Sequence, residues 1–556
     1  MSLAFLLLWP PLAALADSAT TDRARKFVKD HEVGFRPLDV AGNLAWWNAQ
    51  NSGKKEDFAK KEEAQNKIDE FLADPQAFKE VKDIREHRKD IDDKVLARAI
   101  DVLYLQYLEK QVDTALLKKI TAKSNAIEKA FNEYRAVVDG KQMTDNEIRA
   151  VLKGSKDSER LKAVWEGGKG VGALIEKDLK ELVKLRNEAA VKLGFKNYHD
   201  LQLYLNEQDG KQLIALFDDL DELTREPFKA AKADIDARLA AQLGIKEADL
   251  MPWHYKDPFF QETPGVFNAD LDAPFAKADL LKMTRDFYAS IGLPIDRVIA
   301  NSDLFERPGK VQHAFCQDID REGDVRVLAN IKPNNYWAST LLHEFGHSVY
   351  SSKNIPRELP YVLRMESHIL NTEGVAMMFE RLSKREAFLN KMGVKVEDPK
   401  AYDETGAKTL RYQLLIFSRW CQVMLRFEKG MYDNPDQDLN KLWWDLVEKY
   451  QLLKRPPGRN APDYASKIHI VSAPVYYHNY MMGELFASQL HHAIARDVYK
   501  NANPRTVIYA GDKDVGAFMK KKVFEPGKTL SWNELTEHAT GEKLTPKAFA
   551  ADFKGN

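Results

Sequence analysis

Helical periodicity runs through almost the whole of this 556-residue chain and restricts the folds open to it. From Lys55 to Asn132 apolar residues recur three and four positions apart between many lysines and glutamates, with Pro75 the only proline. A second long pattern runs from Ile175 to Tyr204. Further helices are predicted over 210–243, 274–291, 336–352, 371–393, 403–430, 439–453 and 478–500. Prolines and glycines gather at 252–265 and 455–464, where they mark loops rather than linkers between domains. One stretch keeps a different period. Val311–Ile319 and Val325–Ile331 flank Asp320-Arg-Glu-Gly-Asp324, which predicts an antiparallel β-hairpin. Its edge either offers main-chain hydrogen bonds to an extended peptide or is purely structural. The predicted fold class is mainly α with one small hairpin.

The composition, 44% hydrophobic and 30% charged, is that of a globular protein with a large core. Lys and Arg total 83 against 84 Asp and Glu, a net charge of -1, so no basic footprint for nucleic acid or an anionic membrane is expected. Leu3 to Ala16 form an apolar run ending in Ala14-Leu15-Ala16, a small-x-small pattern. Residues 1–16 therefore read as a signal peptide, with export of 17–556 as a single domain to the periplasm or medium. The run is shorter than the roughly 20 residues of a spanning helix, so no stable membrane insertion is expected after cleavage. It lacks a basic residue, and a buried N-terminal helix is the alternative.

The strongest chemical signal is Leu341-Leu-His-Glu-Phe-Gly-His347, an H-E-x-x-H pattern within a predicted helix. His343 and His347 lie one turn apart on one face, where two imidazoles can share a Zn²⁺. Glu344 then stands beside the metal as a general base toward a bound water. A catalytic zinc needs a third protein ligand and an open position. Glu373, in Asn371-Thr-Glu-Gly-Val-Ala-Met-Met378, is the choice, near the start of a helix that Asn371 or Thr372 would cap. Glu366, His368 and Glu380 compete with it on spacing alone. Downstream, Lys467-Ile-His469 and Tyr476-Tyr-His-Asn-Tyr480 offer phenol and imidazole donors suited to a tetrahedral oxyanion. Ordinary core tyrosines and histidines are the competing reading.

Taken in order, these residues resemble the angiotensin-converting-enzyme, or peptidyl-dipeptidase A, family of zinc peptidases. The resemblance covers roughly residues 40 to 500. It rests on Leu185-Arg-Asn-Glu-Ala-Ala-Val-Lys-Leu-Gly194 with Tyr198, on His313-Ala314 followed by the H-E-F-G-H run and Glu373, and on Trp443-Trp444, Lys449-Tyr450, Pro456-Pro457 and Lys467-Ile-His469 through to Tyr480.

The resemblance implies a helical ellipsoid with a deep central groove, one zinc per chain at its floor, and N-terminal helices over about 40–130 as a lid. It implies Glu373 as third ligand, Glu344 as base and later acid, and His469 and Tyr480 as oxyanion donors. Lys467 and Tyr477 match positions that grip a peptide's terminal carboxylate, with Tyr476 as alternative to Tyr477 because a one-residue deletion follows His469. His313 and Ala314 match the strand that pairs with the peptide.

Three positions depart from the family. Tyr255, in Trp253-His-Tyr255, stands where a carboxylate-binding glutamine is expected. Met377 stands where an acidic group would support the metal ligands. Val447 and Asn479 replace two chloride-binding arginines, so chloride is not expected. The function implied is release of C-terminal dipeptides from peptide substrates. The alternatives are a thimet-oligopeptidase-like endopeptidase, a related family that shares H-E-F-G-H, and an inactive exported peptide-binding protein.

Overall fold

The computed structural model describes residues 19–267, 270–351 and 353–553. The leader expected over 1–16 lies outside them. Helices dominate, and the strands among the described residues form two two-stranded antiparallel hairpins, consistent with a helical ellipsoid bearing minor sheet elements. Among the described residues no helix is long and apolar enough to cross a membrane.

A single large apolar cluster runs from Ile127 to Phe553 and surrounds the predicted metal motif with Leu341, Leu342, Phe345 and Val349, all fully buried. A second cluster joins the helices Ala19–Ser52, Lys55–Leu72, Pro75–Glu86 and Lys94–Glu109 to Tyr361, Val362 and Leu363. The N-terminal helical segment extends beyond 40 at one end and reaches the main core at the other. Its first helix begins at Ala19 rather than near 40. Its last, Thr114–Glu133, contributes Ile127 to the main core.

The first helix escaped the apolar count because its buried stripe, Thr21, Ala24, Val28, His31, Phe35 and Asp39, interleaves polar residues, and Pro37 interrupts it. The predicted helix 371–393 is broken into Ile369–Glu380, a 3-10 turn at Arg381–Lys384 and Glu386–Lys391. The helix placed at 175 starts at Ser158, where the Asp157 side chain accepts the Glu159 and Arg160 N–H groups.

The predicted hairpin is present but shorter. Phe315–Asp318 pairs with Val325–Leu328 in the register Phe315↔Leu328 to Asp318↔Val325. Asp320 closes the turn by accepting the Glu322 and Asp324 N–H groups. Trp46 and Trp47 of the first helix pack edge-on against Phe315, and Asn43 donates to the Ile319 carbonyl. The second hairpin, Ala136–Val138 with Lys141–Met143, turns at Asp139-Gly140, both with positive φ. That Asp-Gly pair is the ordinary sequence mark of a two-residue hairpin turn.

Candidate active site

The helix Asn335–Tyr350 carries the metal motif. Asn334 caps it by accepting the Trp337 N–H at 2.9 Å, and its apolar face enters the core. His343 and His347 are held on the opposite face. Three helices close on this point through glycines. A Cβ on Gly346 would lie 2.9 Å from Ala376 Cα, and one on Gly374 would lie 2.8 Å from the Gly483 carbonyl. The glycine inside H-E-F-G-H therefore lets the Glu373 helix approach, and Gly374 and Gly483 let the helix His478–Asp497, with Tyr480, approach in turn.

Nε2 of His343 and Nε2 of His347 are 3.1 Å apart, and Glu373 Oε2 is 3.5 and 3.9 Å from them. A tetrahedral ion with bonds of about 2.0–2.1 Å keeps its ligand atoms about 3.3 Å apart, so the spacing fits zinc. The outer nitrogens support this. His343 Nδ1 lies 2.7 Å from Glu380 Oε2, and His347 Nδ1 lies 2.7 Å from Thr372 Oγ1. With each Nδ1–H so engaged, both Nε2 lone pairs turn toward each other and toward a carboxylate. A cation placed between them offsets that repulsion. Among the described residues this is the set of His, Cys, Asp and Glu side chains that can hold a metal ion.

Glu380 thus supports a ligand rather than being one, and Glu366 and His368 also fall outside the set. His368 instead caps the Glu373 helix, its Nδ1 accepting the Leu370 N–H at 3.1 Å, in place of Asn371 or Thr372. Glu373 sits past the first turn. The acidic group missing at Met377 is supplied one turn later by Glu380.

Glu344 is buried beside the metal set, and burial together with the Glu373 and Glu380 charges pushes its carboxyl up to about 7, against the pull of His343. Tyr480 faces Glu373 electrostatically, and burial with that charge raises its phenol above its ordinary range. Its ring packs edge-on against Tyr476 at 5.2 Å and Tyr477 at 5.5 Å. His469 lies 5.3 Å from the Tyr477 ring. Burial, aided by Lys467, lowers it to about 4 and keeps it neutral.

Lys467 is buried in a cage formed by Phe259, Trp420 and Tyr477, 5.2 to 5.3 Å from each ring centre. Its Nζ donates to Gln261 Oε1 at 2.8 Å, and the Tyr477 hydroxyl donates to the same oxygen at 3.3 Å. Burial pushes the Lys467 ammonium down to about 8. Gln261 is the residue the sequence reading missed. Tyr255 does not take that place, because its hydroxyl is held in the core between Lys232 Nζ at 2.6 Å and Asp236 Oδ1 at 2.8 Å. The signal for Gln261 was an isolated amide in the aromatic run Pro258-Phe-Phe-Gln261. The loop aims it by turning on Asp257, which accepts the Phe259 and Gln261 N–H groups. Tyr477, not Tyr476, joins Lys467; Tyr476 packs on Tyr480.

His313 and Ala314 precede the strand Phe315–Asp318 rather than lying on it, with His313 exposed and Ala314 half-buried. They and the strand's edge away from Val325–Leu328 have no strand partner among the described residues. Asn479, at one of the positions where the resemblance expects arginine, accepts from Gln208 Nε2 at 2.7 Å.

The fold and this centre together define a zinc metallopeptidase in which a glutamate from the neighbouring helix completes a two-histidine set. Comparison with known proteins divides the chain. Residues 18–229 match the family described as angiotensin-converting enzyme, and residues 300–555, which hold the metal centre, match peptidase family M3. Over 442 residues the chain is 22% identical to the angiotensin-converting enzyme of Mesocricetus auratus, covering 73% of this chain and 33% of that protein. It is 22% identical over 443 residues to the angiotensin-converting enzyme-related protein of Drosophila melanogaster, covering 73% of this chain and 70% of that protein. With the Sus scrofa angiotensin-converting enzyme the identity is 23% over 437 residues, 72% of this chain and 32% of that one. The match thus spans about a third of the length of these two mammalian relatives.

Proposed function

We propose that this zinc metallopeptidase cleaves short peptides as an oligopeptidase of the thimet type. The observation that carries this reading is that His343, Glu344, His347 and Glu373, with His469 and Tyr480, all fall within the stretch matching peptidase family M3.

When bound by His343, His347 and Glu373, zinc would supply Lewis acidity toward the scissile carbonyl and a water of lowered pKa. Glu344, raised toward neutrality by its burial, takes the proton from the attacking water. It later returns that proton to the leaving amine. Tyr480, still protonated at neutral pH, and neutral His469 donate hydrogen bonds to the oxygen that becomes tetrahedral. His313, Ala314 and the free edge beside them are the main-chain partners for an extended substrate. The N-terminal helices act as the lid, and export through residues 1–16 belongs to the same proposal, tested by N-terminal sequencing of the mature chain.

A second reading, release of C-terminal dipeptides, is favoured by the buried cluster of Lys467, Gln261 and Tyr477. A caged ammonium hydrogen-bonded to a neutral amide is suited to receive a peptide's terminal carboxylate. Mass spectrometry of products from one peptide panel with free and amidated C-termini separates the two. Internal cuts at equal rates in both series support the oligopeptidase reading. Dipeptides released only from free C-termini overturn it in favour of the second.

A further inference from the structure

Between His469 and Tyr480 the chain passes through a short helix, His469–Ser472, and a five-residue connector, Ala473-Pro-Val-Tyr-Tyr477. The proposed oxyanion donors bracket this connector, and Tyr477 of the Gln261 cluster lies on it. Their spacing is therefore set by how it is held. Val475, at its centre, has φ 55°, a left-handed conformation that a β-branched residue adopts only when its surroundings impose it.

Two buried charged side chains from distant helices meet this segment. Glu428, in the helix Pro399–Asp433 and 2% exposed, accepts the Val475 N–H at 2.9 Å. Arg186, in the helix Ser158–Lys192 and 5% exposed, donates to the carbonyls of Ile470 at 3.1 Å and Val471 at 2.7 Å. Arg186 also reaches the hydroxyl of Tyr432, one turn beyond Glu428, so the two holding groups share a frame. Pro474 has no N–H, which leaves the Val475 N–H as the connector's donor at its bend. Neither side chain contacts the metal ligands.

We propose that Glu428 and Arg186 are positioning residues: they hold the His469–Tyr477 segment at Ile470–Val471 and at Val475, force Val475 into its left-handed conformation, and thereby set His469 and Tyr480 at the separation that turnover requires. This rests on the roles given to His469 and Tyr480 above. The clamp works through hydrogen bonds to backbone rather than through charge. Burial pushes the Glu428 carboxyl up to about 7, against the Val475 N–H and Arg186, so a neutral acceptor of the same shape serves equally well.

The test compares Glu428→Gln, Glu428→Asp and Glu428→Met in the full chain, with zinc content and thermal midpoint measured on each. Gln keeps an acceptor at the same reach, so kcat should stay within about threefold of the parent. Met removes the acceptor and strands a buried N–H. Its kcat should fall on the order of tenfold to a hundredfold, as for misplacement of a catalytic group by about an ångström, with one zinc per chain retained and KM within about threefold. Asp keeps the charge but withdraws the acceptor by one methylene; it should show the same kcat loss in weaker form, which keeps the test decisive if the Met variant fails to fold.

Val475→Gly, which adopts the same φ without strain, should leave kcat within about threefold. Gln as damaging as Met, or Met and Asp with parental kcat, overturns the clamp. Tyr480→Phe is the separate control. If it alone leaves kcat unchanged, the reading of the oxyanion donors has failed rather than the clamp.

Discussion

Glu380 Oε2 stands 2.7 Å from His343 Nδ1, the ring nitrogen turned away from the metal position. The contact fixes the tautomer and makes His343 a stronger ligand. Glu380 is half-buried, and its hydrogen bond to His343, aided by Lys384 and Arg381, holds its carboxyl below its ordinary value against the effect of burial. Removing such a partner typically costs about 10- to 100-fold in metal affinity. Glu380→Ala should show that loss in a chelator competition, with Glu380→Gln between it and the parent. Parental zinc affinity in Glu380→Ala would show that the contact does not orient the ligand.

The ligands and the base separate in the same assay. Glu373→Ala removes one of three protein ligands and should lose zinc during dialysis. Glu344→Gln leaves all three in place, so one zinc per chain should remain while most turnover disappears. Full zinc in the Glu373 variant at unchanged affinity would reject that ligand.

How far these features were legible in sequence follows how local each one is. The metal motif was readable because helical geometry alone places His343 and His347 together. Its neighbour Gly346 was equally visible, but its purpose, contact with Ala376, depends on another helix. Glu380 competes as a ligand on spacing alone, and its supporting role depends on the placement of the Ile369–Glu380 helix against His343 in the fold. Gln261 lies 206 positions from Lys467, and no periodicity connects them. The Asp139-Gly140 hairpin carried a local signal that the surrounding helical pattern obscured.

On the second reading, in which Lys467 receives a terminal carboxylate, substrate preference depends on pH. Its folded value is pushed down to about 8, so the ammonium is lost as pH rises through that region. A neutral amine cannot offset the lost hydration of a buried carboxylate. KM for free C-termini should therefore rise relative to amidated ones above about pH 8, and Lys467→Met should abolish the difference at every pH. A ratio of the two KM values that stays flat from pH 6.5 to 9 would remove Lys467 from carboxylate binding.

Buried neutral histidines make the fold acid-sensitive. Burial lowers His31 and His478 to about 3 and His199 to about 4, from an ordinary 6.5. Between 6.5 and those values the unfolded chain binds more protons than the folded one, so stability is present above pH 6.5 and falls as pH drops below it. Each group contributes at most about 1.4 kcal/mol per pH unit in that window. Urea midpoints should fall between pH 7 and 5, and His199→Gln should reduce the slope. A midpoint unchanged over that range would contradict the burial of these rings.

Chloride is expected to have no effect on turnover. A buried halide loses its hydration, and paired cations or convergent donors must replace it. Of the two positions where the resemblance expects arginine, Val447 is buried and offers no side-chain donor. Asn479 has its Oδ1 occupied by Gln208, whose own Oε1 lies 2.7 Å from His478 Nε2. The cation that lines the small cavity beside Val447 is Lys169, with its ammonium 3.3 Å above the Phe259 ring and 3.2 Å from Ser466 Oγ. Burial lowers Lys169 to about 7, so near neutrality it is a partial charge already engaged by an aromatic face, unlike an arginine's permanent planar fork. Rates in chloride and acetate at fixed pH and ionic strength should coincide. A saturable, chloride-specific gain of several-fold that disappears in Lys169→Met would overturn this expectation and assign the anion to Lys169.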